Sequence, residues 1–586
     1  MRGLCRTLFA AGVLFVLCVP ALAAREPIAG VVLPIASTEG ANAAIAEYLH
    51  LRKTASNSYD FSEAQLNAVA YRLLQDKKND DAIAIFELNI AMFPKSANAR
   101  DSLADAYARS GDTTAAKREY IRALSMLDRG NAAPSSRSAA FLKANIRRQL
   151  ERLRVYPIYE PLTGVYRADD GRAISISIAE PNYGTTPPTL RFTEWPSGRV
   201  RTLHQRSDVS YVAGTSLEDA SPVQFRVDFL TGDDGRASSL TLAGEGATLF
   251  ATRVPAPPVE RVVFRSGAAE LEGSLSAPPG GDRHPAVVLV HGSGKATRDT
   301  PGFGELANFL VLEGFTVLRY DKRGYGESTT GETVYPFLDE LSRDAAAAVR
   351  YLRSRSEADP ARVGLMGFSE GAWVAGIAAS YIPRDVAFLV LLSGGGVSPS
   401  HQERYRVRAE MEAAGFDENT IAEATAYMDL KFEVARTGGG WDVYVKRSRE
   451  VRRSPWIRYT GRWGSLGFAT AAWNQALGYE PASRLAAVEM PVLAILGEND
   501  LLTPVDDTVT SLRKGFAGER ASQLEIKIVP KANHLMLESE SGAIRFSQSE
   551  LPRLDRYAPG FFDTLSVWLG RWCENGVRDG TSNATD

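Results

Sequence analysis

The second half of the chain alternates between two textures. The run at 285–290 is apolar throughout, as expected of a strand buried on both faces, and further largely apolar runs at 316–320, 362–368, 386–392, 491–496 and 524–529 also read as strands. Stretches with helical spacing of apolar residues, near 303–314 and 337–355, separate the first of these runs. Consecutive parallel strands require crossovers of that length. The pattern predicts an α/β domain over 257–577 with a mostly parallel sheet. An insertion at about 397–485 breaks it, with charged helical segments around 402–414 and 418–435 and then an aromatic-rich part that includes Trp441, Tyr444, Trp456, Tyr459 and Trp463. That texture predicts a helical lid over the carboxyl ends of the strands. Most of its aromatics are expected to pack the lid onto the sheet, and any that face the pocket favour an apolar acyl or aromatic group.

Upstream the pattern changes twice. Residues 156–256 carry short alternating or β-branched runs punctuated by Gly and Pro, such as 173–178 and 223–229, and predict a small antiparallel β domain. It is too short for a propeller. From 61 to 155 the spacing is helical, and residues recur at a 34-residue offset: Ala70 with Ala104, Ala82 with Ala116, Phe86 with Tyr120, with Pro94 ending the first unit. This resembles tetratricopeptide repeats, whose small residues sit where paired helices cross closely. The resemblance implies two repeats over 63–130 capped by the helix-like 137–154 stretch, either binding a protein or peptide partner or packing on a neighbouring domain. Residues 24–60 read as a linker and 578–586 as a disordered tail.

Several of the apolar runs end in loops with distinctive chemistry. The run at 362–368 passes into Gly367-Phe368-Ser369-Glu370-Gly371 and then a helix. A sharp strand-to-helix turn leaves no room for flanking Cβ atoms, which accounts for Gly367 and Gly371, and it exposes the Ser369 hydroxyl. The run at 285–290 empties into His291-Gly292-Ser293-Gly294, that at 491–496 into Gly497-Glu498-Asn499-Asp500, and that at 524–529 is followed by Asn533-His534. Serine, acid and histidine thus each stand beyond a strand, in that order.

On these motifs residues 258–575 resemble the α/β-hydrolase superfamily, and within it the serine esterases with a His-Gly-Ser-Gly loop, related to dienelactone-hydrolase-like and S9/S33-type hydrolases. The resemblance implies Ser369 as nucleophile, His534 as general base and Asp500 as the acid that orients it. Glu498 and Asp506 compete with Asp500 for that role. It also implies an oxyanion hole of two backbone N–H groups, from Glu370 after the nucleophile and from Ser293 in the loop His291–Gly294. His291 is expected to order that loop. Asp321, in Asp321-Lys322-Arg323-Gly324-Tyr325-Gly326-Glu327-Ser328, is expected to shape its own loop.

Composition narrows the classes. The 586 residues carry 67 Lys and Arg against 70 Asp and Glu, interspersed, which leaves no electrostatic footprint for nucleic acid. Arg2 and Arg6 precede an apolar run from Leu8 to Val19 and then Pro20-Ala21-Leu22-Ala23-Ala24. That is the pattern of a secretory signal peptide over 1–23. The run is short for a bilayer span, so stable membrane insertion after cleavage is not expected. After cleavage Cys573 is the sole cysteine, so no intramolecular disulfide forms. No nucleotide loop or metal-ligand cluster is visible, and no metal or cofactor is expected. The sequence therefore points to an exported serine hydrolase, periplasmic or extracellular, acting on small-molecule esters. A peptidase or amidase on the same residues, and a repeat-based binding scaffold with a vestigial hydrolase domain, are the alternatives.

Overall fold

The computed structural model describes residues 25–129, 136–181, 187–244, 246–256, 259–280, 283–330, 337–543 and 554–573. The expected signal peptide over 1–23 and tail over 578–586 lie outside the described residues. Among the described residues no helix is long and apolar enough to cross a membrane. The chain divides into two compact units, one of Met1–Leu74 and Lys78–Ala132, the other of Gln75–Lys77 and Ala133–Asp586.

The first unit is helical. The expected linker over 24–60 is corrected: it holds two helices, Ala29–Thr38 and Ala41–Thr54. Ile28, Val32, Ala36, Ala44 and Tyr48 are fully buried and share one core with Leu66, Val69 and Leu73. Alanine supplies much of these helices' inner face, and Pro34 lies inside the first. Both features mask amphipathic periodicity in the sequence. Two helix pairs follow, Glu63–Gln75 with Asn79–Met92 and Ala97–Ser110 with Thr113–Asp128. The residues matched by the sequence offset, Ala70, Ala104, Ala82, Ala116, Phe86 and Tyr120, are all buried. Ser96 and Asp112 cap the second pair by accepting from Ala99 N and Ala115 N at 3.1 and 2.9 Å.

In the second unit the helix Ser136–Tyr159 leads into a closed barrel of eight antiparallel strands, from Gly164–Ala168 to Ala247–Arg253. The expected role of 137–154 as a repeat cap is corrected: this helix belongs to the second unit, and Val155 and Tyr159 enter the barrel core beside Ile174, Phe192 and Tyr211.

The α/β domain is an eight-stranded sheet of β1 (Glu260–Ser266), β2 (Ala269–Ser276), β3 (His284–Val290), β4 (Thr316–Tyr320), β5 (Ala358–Phe368), β6 (Leu389–Leu392), β7 (Val492–Gly497) and β8 (Leu524–Val529). Its order is β1-β2-β4-β3-β5-β6-β7-β8, with β2 antiparallel to both neighbours and the rest parallel. Every residue of β4, β6 and β7 is buried, as strands covered by helices on both faces must be. Parallel strands point their carboxyl ends the same way, so the loops after β3, β5, β7 and β8 gather at one edge.

The barrel is fastened to this domain. Val200 N and Leu217 N donate to Asp555 O and Leu554 O at 2.9 and 2.7 Å, and the Trp195, Phe309 and Phe562 rings form one cluster. A Cβ on Gly304 would stand 2.6 Å from Ser177 Cβ, so the helix Phe303–Leu312 sits on the barrel at glycine contact. Between β6 and β7 the expected lid consists of helices, the longest Pro399–Ala413 and Glu418–Thr437. Its aromatics depart from expectation: Tyr444, Trp456 and Tyr459 are buried in a core of the lid's own with Met411, Tyr427 and Phe432, rather than against the sheet.

Candidate active site

Ser369 stands between β5 and the helix Glu370–Tyr381 with φ +56° and ψ −119°. This backbone region is costly for a residue with a Cβ, and the surroundings impose it. A Cβ on Gly367 would lie 2.0 Å from Gly371 O, and one on Gly371 2.1 Å from Val290 O. Both glycines are steric requirements of the turn. Ser369 N donates to Leu392 O at 2.9 Å, tying the turn to β6.

His534, in the loop after β8, brings Nε2 to 2.9 Å from Ser369 Oγ and Nδ1 to 2.8 Å from Asp500 Oδ2. His534 is 3% exposed and Asp500 2%. A carboxylate only accepts hydrogen bonds, so Nδ1 carries the proton and Nε2 is left to accept from the serine hydroxyl. The other oxygen of Asp500 accepts from Leu502 N and Thr503 N at 2.7 and 2.9 Å. Ser393 Oγ donates to His534 O at 2.8 Å, and Thr503 Oγ1 donates to Ser393 O at 2.9 Å. The rival acids stand elsewhere: Glu498 is exposed and accepts from Lys531 N at 2.9 Å, and Asp506 is exposed on the helix Val505–Gly515.

Glu370 opens its helix, so its N–H has no intrahelical acceptor. The loop after β3 lies against the same turn, since a Cβ on Gly292 would be 3.3 Å from both Phe368 O and Ser369 Cβ. Ser293 follows it and is exposed, and Gly294 has φ +93°. His291 is buried with its ring 4.9 Å from that of Tyr320, and neither ring nitrogen has a hydrogen-bond partner among the described residues. Burial, reinforced by the nearby Lys322 charge, holds its pKa well below the ordinary imidazole value. This buried ring, packed on Tyr320, makes no hydrogen bond to Ser369 or His534.

Asp321 shapes its own loop. It accepts from Arg298 N and Glu327 N at 2.8 and 2.9 Å, and from Arg298 Nη2 at 3.0 Å. The sequence pattern does not single out its neighbour Lys322. The Lys322 ammonium donates to Gly292 O at 2.9 Å and to Glu370 Oε1 at 2.6 Å, and both side chains are almost fully buried. One cation thus joins the loop after β3 to the residue after Ser369. The available signal is topological: Lys322 follows β4, which pairs with β3.

A cavity of about 140 Å³ is lined by the immediate sequence neighbours of Ser369 and His534, not by those two residues themselves. Phe368, Leu535 and Met536 line it from the serine and histidine loops, and Val200 and Leu217 line it from the barrel. The Phe368 ring also meets the His534 ring at 5.3 Å. Among the described residues no group of three or more His, Cys, Asp or Glu side chains is placed to hold a metal ion.

The family model "Serine aminopeptidase, S33" matches residues 281–541. An esterase, EstD, from Thermotoga maritima is 40% identical over 305 residues, 51% of this chain, and the chain covers 65% of that protein's length. A 2-hydroxy-6-oxononadienedioate/2-hydroxy-6-oxononatrienedioate hydrolase from a Pseudomonas species is 30% identical over 40% of this chain and 79% of its own length. A solved esterase from Pyrococcus furiosus aligns at 18% identity over 54% of this chain and 91% of its own, with a TM-score of 0.34.

Proposed function

The chain belongs to the α/β-hydrolase superfamily, and on that premise we propose that it is an exported serine hydrolase that cleaves carboxylic esters of small molecules through an acyl-enzyme. The observation that carries this reading is the buried relay from Ser369 Oγ through His534 to Asp500, with separations of 2.9 and 2.8 Å. Serine alone is a poor nucleophile, so His534 Nε2 takes its proton as Oγ bonds to the ester carbon. Asp500 holds the imidazole tautomer and stabilises the imidazolium that forms. The N–H groups of Glu370 and Ser293 are assigned to the developing oxyanion. His534 then returns the proton to the departing alkoxide, and the acyl group stays on Oγ. Water, deprotonated by His534, attacks the acyl carbon and releases the carboxylic acid and free serine. The apolar cavity beside Phe368 and Leu535 suits an apolar acyl or alcohol group.

Export is proposed on the N-terminal segment, and it predicts a mature chain beginning near residue 24 by mass spectrometry of the secreted or periplasmic fraction. The two helix pairs of the first unit are read as tetratricopeptide-like repeats that present a peptide-binding surface.

The test is hydrolysis of p-nitrophenyl esters, acetate through long acyl, by the mature protein and its Ser369→Ala variant. Turnover that falls by about 10⁴–10⁶ in the variant is expected. A folded protein with no turnover on any ester sinks the reading. A second reading, a peptidase on the same residues, is favoured by the name of the matching family model. Release of p-nitroaniline from aminoacyl anilides faster than hydrolysis of any ester selects it. Unchanged partner binding with no turnover on either substrate class selects the scaffold.

A further inference from the structure

A second, larger cavity of about 810 Å³ lies between the barrel and the sheet domain. Its volume falls in the range of small-molecule sites, roughly 300–1,000 Å³. The described residues that line it include seven arginines against three carboxylates, Glu160, Asp299 and Glu327. A cleft with one predominant sign of charge between low-dielectric walls concentrates ions of the other sign.

On the sheet side, Arg298 is engaged by Asp321 and Glu327 at 3.0 and 2.8 Å. Its neighbour Arg319 is less well matched. Arg319 is 9% exposed, lies 3.6 Å from Asp299 and donates Nη1 to Arg298 O at 2.8 Å, and its Nε has no hydrogen-bond partner. Burial lowers its pKa, opposed by Asp299 and reinforced by the adjacent Arg298. The buried hydroxyl of Ser177, on the facing barrel strand Ala173–Ala179, also has no partner. On the barrel side, Arg167, Arg236 and Arg253 have no carboxylate within 4.0 Å among the described residues. Arg253 is held instead by the carbonyls of Thr163, Pro161 and Ala237, the last two at 3.1 and 2.8 Å, with Asp234 acting on it only from a distance. Half-buried cations without a carboxylate beside them favour an anion in the cleft.

We propose that this cavity is a binding site for a small organic anion with at least two carboxylate or phosphate groups. One group is held by the Arg319 guanidinium on the sheet side, and the other by Arg167 and Arg236 on the barrel side. Arginine's planar fork suits the paired oxygens of both chemistries, which is why the anion class is shared between them. The apolar side chains of Val165, Ile178, Val311 and Leu312, which also line the cavity, fit a carbon skeleton rather than a bare inorganic ion. This site is separate from the Ser369 relay and stands whether or not the protein cleaves esters.

The test is titration calorimetry of the mature protein with two probes, citrate and inorganic pyrophosphate, at low ionic strength. One-to-one binding of at least one probe below about 1 mM is expected. Binding of citrate alone assigns the site to carboxylates, and of pyrophosphate alone to phosphates. Arg167→Gln with Arg236→Gln is expected to weaken that binding about tenfold while p-nitrophenyl acetate turnover stays unchanged. Both arginines reach solvent and lack ion-pair partners, so the double variant should fold, with a melting temperature within about 2 °C of the parent. Absence of binding by either probe up to about 10 mM overturns the proposal, as does a double variant that binds within about threefold of the parent.

Discussion

Ser369 keeps a backbone conformation, φ +56°, that costs on the order of 1–3 kcal/mol, and the glycines on either side allow no alternative path. Gly371→Ala therefore drives a Cβ into Val290 O at 2.1 Å. It should remove turnover and lower the melting temperature, because overpacking of a buried turn costs about 1–3 kcal/mol or more. Lys322 is the residue whose role depends on its partners. Replacing it by Met leaves the Glu370 carboxylate buried and uncompensated beside the expected oxyanion and frees the loop at Gly292. Steady-state kinetics on p-nitrophenyl acetate should show kcat reduced about 10–10²-fold in Lys322→Met with KM nearly unchanged. Adding Glu370→Gln should restore part of the loss, since the unpaired charge is then gone. Equal effects on kcat and KM, or no rescue, count against this account. Ser369, Asp500 and His534 are legible in the sequence because each follows a strand and the residue types are distinctive. Lys322 is not, because its two partners, a loop carbonyl and a helix-opening carboxylate, lie 30 and 48 positions away.

At the scale of elements, the lid shows the difference between composition and placement. Texture predicts its helices, yet Trp456 and Tyr459 pack within the lid. Spacing along one helix reports which face is apolar and leaves open which element covers it. The lid core also holds Lys431, which donates to Thr460 O at 2.5 Å and stands 4.9 Å from the Trp463 ring centre. Burial pushes its pKa down from 10.5 to about 8. A depressed lysine means that the unfolded chain binds more protons than the folded one between those values, so stability rises with pH through that window. Below about pH 8 the full penalty of holding a buried charge applies, on the order of 2–4 kcal/mol. Thermal melts should show Lys431→Met gaining stability relative to the parent at pH 7 and losing most of that relative gain at pH 10. The lost contact with Thr460 is common to both pH values, so an advantage independent of pH rejects the argument.

Across the whole second unit, barrel and sheet domain share aromatic packing and backbone hydrogen bonds, so they should unfold together. Gly304→Val places a side chain where Ser177 Cβ already stands, 2.6 Å from the glycine's Cβ position. Calorimetry should find a single cooperative transition for this unit in the parent protein and a lower melting temperature in the variant, by about 2–4 °C per kcal/mol. Two separated transitions in the parent would mean that the seam contributes little. The sheet domain expressed over 257–577 without the barrel should be poorly soluble, because Phe309, Phe562 and Tyr557 would lose their cover.

Local patterns determined much by themselves: strands buried on both faces, helical crossovers between them, and a glycine-flanked serine where one strand turns into a helix. These are written in consecutive residues, and steric limits on the backbone act at that range. The early helices escaped because Ala29–Thr38 is apolar almost all round and interrupted by Pro34, and Ala41–Thr54 buries small alanines beside Tyr48, so neither shows a clear amphipathic period. Only the tertiary structure decided that the barrel lines one cavity beside Phe368 and another rich in arginine, and that Lys322 joins two loops of the site. Charge pairing, cavity volume and unsatisfied donors depend on distances between residues remote in sequence, and those distances exist only once the chain has packed.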